Sequence, residues 1–455
     1  MLQANTYGAL LSCYLIILGA AACGFQDFDD IEDFIEVSGS IDKDTTWSSS
    51  KEYLLIGQAF VQSGVTLTIE PGTTIRSIAS DVQGLAPALI IKPGATIIAN
   101  GTAEQPITFT SSTDDANLPA RGLWGGLIIL GQAPVNASLE KRVVEGVAGV
   151  SYGGDDAEDS SGILRYVRIW YGGRNIGENN EINGLTLAGV GRGTTIEHIE
   201  VAWNQDDGVE FFGGTVDAKY VSVLFVRDDA IDTDLGYQGR LQHIFTLAGR
   251  DLAGRAFEMD NDGSNYDASP RSFPIVCNAT LLGPTSSIPE ADLDEDGDNV
   301  TDQGDQMIRL REGTGGDFRN IAIQDGNGVC MRVSDSRTQE ILSQVEPTEA
   351  GNTDLLYVSS NIFGSNCGGS TVHSSNAGAL TLQELDPLLT TVNIDANNQG
   401  SLDPRPQSSS PLLGSQIDSC RSDGWFDATE YSGAFSGTDN WLSGWSWLSE
   451  HGFLD

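Results

Sequence analysis

The sequence predicts an all-β chain, folded as a right-handed parallel β-helix with coils about 22 residues long. Three observations predict it. The 455 residues include 54 Gly and only 8% aromatics, a composition that suits many tight turns and weakens helix interiors. From Ile41 onward, short β-rich runs alternate with Gly, Asn and Asp turns, and few stretches keep a helical period. The third observation is an internal repeat.

The repeat aligns Ile196-Glu-His-Ile-Glu-Val-Ala-Trp-Asn-Gln-Asp-Asp-Gly with Ala218-Lys-Tyr-Val-Ser-Val-Leu-Phe-Val-Arg-Asp-Asp-Ala, 22 residues on. Ile199 meets Val221, Val201 meets Val223, Trp203 meets Phe225, and Asp206-Asp207 meet Asp228-Asp229. A further copy starts near Leu241-Gln-His-Ile, and an earlier one is Leu164-Arg-Tyr-Val. That period fits one coil of three short strands and three turns. One coil cannot bury its apolar face alone, but stacked coils can. Equivalent residues then lie about 4.8 Å apart on adjacent coils. On this reading the β-helix occupies residues 41–424.

The ends differ in kind. Leu10 to Ala22 is nearly all apolar and closes on Ala20-Ala21-Ala22 before Cys23, so residues 1–22 read as a signal peptide. Ala20-x-Ala22 suits ordinary signal peptidase. Leu18-Gly19-Ala20-Ala21-Ala22-Cys23 resembles a bacterial lipobox, after which Cys23 carries lipid. Both cuts remain open. Residues 23–40 are acidic and read as a tether. Residues 425–455, with Trp425, Trp441, Trp445 and Trp447, read as a cap over the open end of the β-helix, whose unpaired edge needs cover. The rival reading of these Trp residues is an aromatic sugar-binding platform.

Charge and cysteine usage narrow the setting. There are 24 basic residues against 64 acidic ones, a net charge of -40. That repels nucleic acid and anionic membrane surfaces and leaves a lipid on Cys23 as the only membrane contact. Beyond Cys13 and Cys23 the cysteines are Cys277, Cys330, Cys367 and Cys420. Export to an oxidising compartment permits two disulfides among them, in any of three pairings. No Cys-x-x-Cys spacing points to zinc.

Several runs together carry a resemblance. Leu67-Thr-Ile-Glu-Pro-Gly-Thr, Gly122-Leu-Trp-Gly-Gly-Leu-Ile-Ile-Leu-Gly, Asn180-Glu-Ile-Asn-Gly-Leu-Thr-Leu-Ala-Gly-Val-Gly and Asn204-Gln-Asp-Asp-Gly-Val-Glu-Phe-Phe-Gly-Gly-Thr-Val resemble β-helix lipoproteins of environmental Gram-negative bacteria. Tyr431-Ser-Gly-Ala-Phe and Asp439-Asn-Trp-Leu-Ser-Gly-Trp are similar to that group's C-terminal signature. The resemblance implies a pectate-lyase-like fold and a cell-surface, outer-membrane or secreted location. It implies no reaction.

Two acidic constellations are candidates for chemistry. Asp292-Leu-Asp294-Glu-Asp296-Gly297-Asp298, followed by Asp302, has Asp at alternating positions and then Gly, the pattern that wraps Ca²⁺ in hard oxygens. It predicts a structural Ca²⁺ site in an insertion near residues 290–303. The second is the repeat's own ladder: Asp206, Asp207 and Glu210 fall over Asp228, Asp229 and Asp232, with Asp234 nearby. Like charges this close call for a cation, an arginine such as Arg227 or Arg240, or protonation. Such ladders build Ca²⁺ sites or paired acids in polysaccharide lyases and hydrolases; a solvated turn ladder is the plainer reading.

The function carried forward is an exported surface β-helix that binds or adheres, with polysaccharide or cell-surface glycan as the partner and no catalytic activity assigned. A Ca²⁺-dependent lyase or glycoside hydrolase using the ladder, and a purely structural surface component, stand beside it. One fold hosts many functions, so only the site decides.

Overall fold

A computed structural model describes residues 34–454, apart from 145, 148, 175–181, 286–305, 327, 344, 348–352, 368–369, 374–381 and 415–416. The chain is a right-handed parallel β-helix whose strands form three parallel stacks. The first stack is followed down the axis through Thr66–Ile69, Thr96–Asn100 and the leading halves of Gly162–Trp170, Thr195–Ala202, Asp217–Leu224, Arg240–Leu247 and Ile275–Leu282. The trailing halves of the same long strands form the second stack, below Thr74–Ser77 and Ile107–Ser111. The third runs through Leu127–Leu130, Leu185–Ala188, Val209–Phe212, Ile231–Asp234, Phe257–Met259, Gln306–Leu310 and Val329–Val333.

Strand alternation sends every second side chain inward. Leu164, Ile196, Ala218 and Leu241 stack on one another, as do Val167, Ile199, Val221 and Ile244, in one continuous apolar interior. The 22-residue alignment is the true register: Ile199 pairs with Val221 and Val201 with Val223.

Between the first and second stacks, six successive coils each place one residue in the left-handed region. These are Tyr166, His198, Tyr220, His243, Asn278 and Asn320, at φ from 48° to 60°. Between the second and third stacks Tyr171, Trp203 and Phe225 do the same. Bulky residues rarely adopt this conformation. Here ring stacking offsets it: Tyr166, His198, Tyr220 and His243 form a column with centroids 4.2, 4.4 and 4.6 Å apart, and Trp203 lies 4.8 Å from Phe225.

Two expected boundaries and the placing of the C-terminal segment are corrected. The first strand, Ile35–Ile41, already pairs in the β-helix, so the coils begin inside the segment read as a tether. Among the described residues, strands of the stacks run to Ser370–His373, short of the expected end at 424; Leu389–Ile394 and Gly400–Pro406 form an antiparallel hairpin. The Trp-rich end does not close the open end of the solenoid. It runs back along its side, over the outer face of the second stack, where Trp170, Trp203, Phe225 and Phe245 form an apolar cluster with Phe435, Leu442, Trp447 and Phe453. That outer face is apolar, and an exposed apolar strip of this length needs cover more than a strand edge does. Trp447 is buried in this contact and Trp445 against Tyr166 and His198, which removes both as a sugar platform.

The four cysteines form two disulfides, Cys277–Cys420 and Cys330–Cys367. The first fastens the start of this C-terminal strap to the coils. Among the described residues no helix is long and apolar enough to cross a membrane.

Candidate functional site

The acidic ladder forms at the corner between the second and third stacks. Asp206 and Asp207 occupy the turn after Thr195–Ala202, and Asp228 and Asp229 the same turn one coil on. Backbone bonds stack these turns: Gly208 N donates to Asp229 O at 2.8 Å, and Ala230 N to Arg255 O at 2.8 Å. Side chains repeat the motif. Asp207 Oδ1 accepts from Asp229 N at 2.9 Å, and Asp229 Oδ1 accepts from Arg255 N in the next coil. Glycine at 208 is required by this closeness, since a Cβ there would lie 2.3 Å from Val223 Cγ1.

The corner leads onto the outer face of the third stack. Glu210 pairs in register with Asp232, Asp232 with Glu258, Glu258 with Arg309, and Arg309 with Arg332. The row is therefore acidic on three coils and basic on the next two. Arg255 Nη1 reaches Asp229 at 3.3 Å and Glu258 at 3.2 Å; Arg311 reaches Glu258 at 3.0 Å and Asp260 at 2.8 Å. Earlier coils of the same face are apolar instead: Ile90, Ile128 and Leu130 are covered by Val135, Val144, Val147 and Tyr152.

Carboxylates converge where corner and face meet. Oxygens of Asp206, Asp207 and Asp228 lie within 4.8 Å of one another, and so do oxygens of Asp207, Glu210 and Asp232. Asp207 belongs to both groups. Its pKa is held well above the usual carboxylate range, first by burial, then by Asp206, Asp232, Asp228 and Glu210. Asp232 is raised by burial first and then by Glu210 and Glu258, and its buried Oδ1 has no hydrogen-bond partner among the described residues. Burial pushes Asp229 up to about 6, with Arg255 opposing, and Asp234 up to about 7. The donors gathered here are hard oxygens, which suit Ca²⁺ and not a soft metal.

Asp206, Asp207, Asp228 and Asp229 thus come together as the repeat predicted. Arg227 lies in the same turn, its N–H donating to Asn204 O at 3.0 Å. Arg240 does not join them. It sits on the first stack, paired with Asp217 and, at 2.9 Å, with Asp423 of the strap. Asp292, Asp294, Asp296, Asp298 and Asp302 lie outside the described residues, as does Cys23. Sequence reasoning missed Arg255, Glu258, Arg309 and Arg332. The signal was there: Phe257-Glu258-Met259, Ile308-Arg309-Leu310 and Met331-Arg332-Val333 each hold one charge between two inward apolar residues. Insertions between these coils break the period and hid their alignment.

A family model described as a pectate-lyase like beta helix domain matches residues 39–400. Neither the curated proteins nor the solved structures compared with the chain gave a match.

Proposed function

The chain belongs to the pectate-lyase-like β-helix family, and from that premise we propose an exported surface protein that binds polysaccharide through cations held on the acidic ladder. The observation that carries this reading is the sharing of Asp207 by two carboxylate groups, each with oxygens within 4.8 Å. Asp206, Asp207 and Asp228 would hold one Ca²⁺, and Asp207, Glu210 and Asp232 offer a second set. Bound Ca²⁺ would supply neutralising charge and open coordination positions for sugar hydroxyl or carboxylate oxygens. The chain's own part is to fix these oxygens on stacked turns, where neighbouring coils limit their movement. The insertion from Asp292 to Asp302 is proposed as a separate structural Ca²⁺ loop. Residues 1–22 are proposed as a cleaved signal, with Cys23 as the lipid-bearing residue that places the protein at the outer membrane or cell surface; a free secreted form is the alternative.

A second reading has its own observation. Glu258 is followed in register by Arg309 and Arg332. Acids that hold a cation beside arginines are what abstraction of a proton from an acidic sugar needs, so a polysaccharide lyase stands as the alternative.

The test is calorimetric Ca²⁺ titration of the mature protein together with a panel of acidic and neutral glycans, with and without chelator. Ca²⁺-dependent retention of a glycan, lost in Asp207→Asn and Asp232→Asn but kept in Asp294→Ala with Asp296→Ala, supports the ladder. Retention unchanged by chelator and by all four substitutions rejects it. Appearance of unsaturated sugar products selects the lyase.

A further inference from the structure

Three of the junctions between the C-terminal strap and the coils are built on acidic side chains. The first is the Cys277–Cys420 disulfide, with Arg421 on Asp317 at 3.0 Å and Asp423 on Arg240 at 2.9 Å. The second is Asp427, whose carboxylate takes Lys219 at 2.8 Å, the Tyr220 hydroxyl at 3.1 Å and His243 Nε2 at 3.4 Å. The third is built differently, around a buried acid.

Glu200 lies on the outer face of Thr195–Ala202 and is fully buried under the strap. Its Oε1 accepts from Trp170 Nε1 at 3.0 Å and from the backbone N–H of Trp447 at 2.6 Å. Its Oε2 lies 3.5 Å from Ser222 Oγ. These partners are all neutral. Arg168, its register neighbour, is turned to Glu450 at 2.6 Å and to Trp445 O at 3.0 Å, with its guanidinium over the Trp170 ring. A buried carboxylate with neutral donors carries an uncompensated charge, and a buried carboxyl does not.

We propose that Glu200 is a proton-operated clasp: the Trp447 end of the strap docks tightly while the Glu200 carboxyl is protonated and loosens as it ionises. The proposal is independent of the ladder and its ligand. The charged and titratable groups around the junction are Arg168 and Tyr171 from the coils, and Glu450 and His451 from the strap. Trp447 Nε1 donates to Tyr171 OH at 3.0 Å, and His451 stacks on Trp447 with centroids 3.9 Å apart. Burial raises Glu200 to about 7, against the lowering effect of Trp447 N–H, Trp170 and Arg168. When the strap lifts, Glu200 meets water and titrates in the usual carboxylate range. The docked form therefore binds the proton more tightly. Docking is favoured below the usual carboxylate pKa, weakens as pH rises through the folded value, and is flat beyond it, with a total change of roughly a hundredfold.

Hydrogen exchange on the full chain, corrected for intrinsic rates, tests this. Amides of residues 445–453 are expected to lose protection by roughly a hundredfold between about pH 5 and pH 8. Glu200→Gln keeps an acceptor for both N–H groups and should remove this dependence, while His451→Asn should leave it. A wild-type profile without the loss, the same slope in Glu200→Gln, or a slope abolished by His451→Asn overturns the proposal. Should Glu200→Gln fail to fold, carboxyl-carbon NMR of the wild type decides: a Glu200 midpoint near 7 supports the clasp, and one in the usual carboxylate range ends it.

Discussion

Asp207 Oδ1 accepts the backbone N–H of Asp229 at 2.9 Å, one coil and 22 residues along the chain. The bond fixes an acid directly over an acid. Asp229 repeats it toward Arg255, so the corner is a chain of side chains each capping the next turn. Carboxylates held this way cannot move apart to relieve repulsion, and the relief must come from arginines such as Arg255, from protons or from bound cations.

The first prediction follows from that constraint. Asp207, Asp232 and Asp260 have folded pKa values raised well above the usual range, with Asp229 at about 6 and Asp234 at about 7. The folded chain then binds more protons than the unfolded chain between the usual carboxylate range and these values. Stability from this source is present at the acid side of that window and is lost as pH rises through it. In chelator, calorimetric Tm should fall by several degrees from about pH 5 to pH 8, and saturating Ca²⁺ should restore it at pH 8. Asp232→Asn should flatten the profile in chelator. An equal Tm with Ca²⁺ and with chelator at pH 8 would mean that no cation relieves the ladder.

A second prediction concerns the left-handed aromatics. Tyr220 sits at φ 56° with His198 and His243 stacked on its two sides. Tyr220→Ala loses the stacking and keeps the backbone cost, about 1–2 kcal/mol for a non-glycine residue there. Tyr220→Gly loses the stacking but removes that cost. The glycine variant should therefore be the more stable of the two by about 1 kcal/mol, the reverse of the order in an ordinary strand. Denaturant midpoints of both variants check the sign.

Much of this fold is legible in the sequence because a solenoid writes its register as a period. Val201 over Val223 and Asp207 over Asp229 are visible by alignment alone. The same logic explains the failures. Glu258, Arg309 and Arg332 continue the row of Glu210 and Asp232, yet their coils carry insertions of unequal length, so position in the chain no longer reports position on the face. The strap failed for another reason. Trp203, Phe225 and Phe245 look like interior residues in the repeat, but strand alternation and the left-handed turns turn them outward. Nothing in a one-dimensional pattern says that an apolar outer strip waits for residues 425–453. Arg240 was misplaced because it lies between coils in sequence but on the first stack in space, bound to Asp217.

The last prediction separates the two disulfides by what each one holds. Cys330 and Cys367 join adjacent coils inside the main core over 37 residues of chain, whereas Cys277 and Cys420 join a coil to the strap over 143. Closing the longer loop removes more freedom from the unfolded chain, by about 1 kcal/mol on a chain-entropy account, within the usual 2–5 kcal/mol for losing a native bridge. The local consequences should differ more than the totals. Without Cys277–Cys420 the strap keeps its ion pairs at Arg421, Asp423 and Asp427 and its Trp447 contact but loses its covalent fastening. Cys277→Ser with Cys420→Ser should therefore expose residues 417–430 to protease under native conditions while the coils stay folded. Cys330→Ser with Cys367→Ser should leave those residues protected and lower the Tm through the last coils instead. Peptide mapping of the wild type should find both bridges and no free thiol among the four. Four free thiols, or protease cutting the strap equally in both double variants, would show that the bridges do not divide the work in this way.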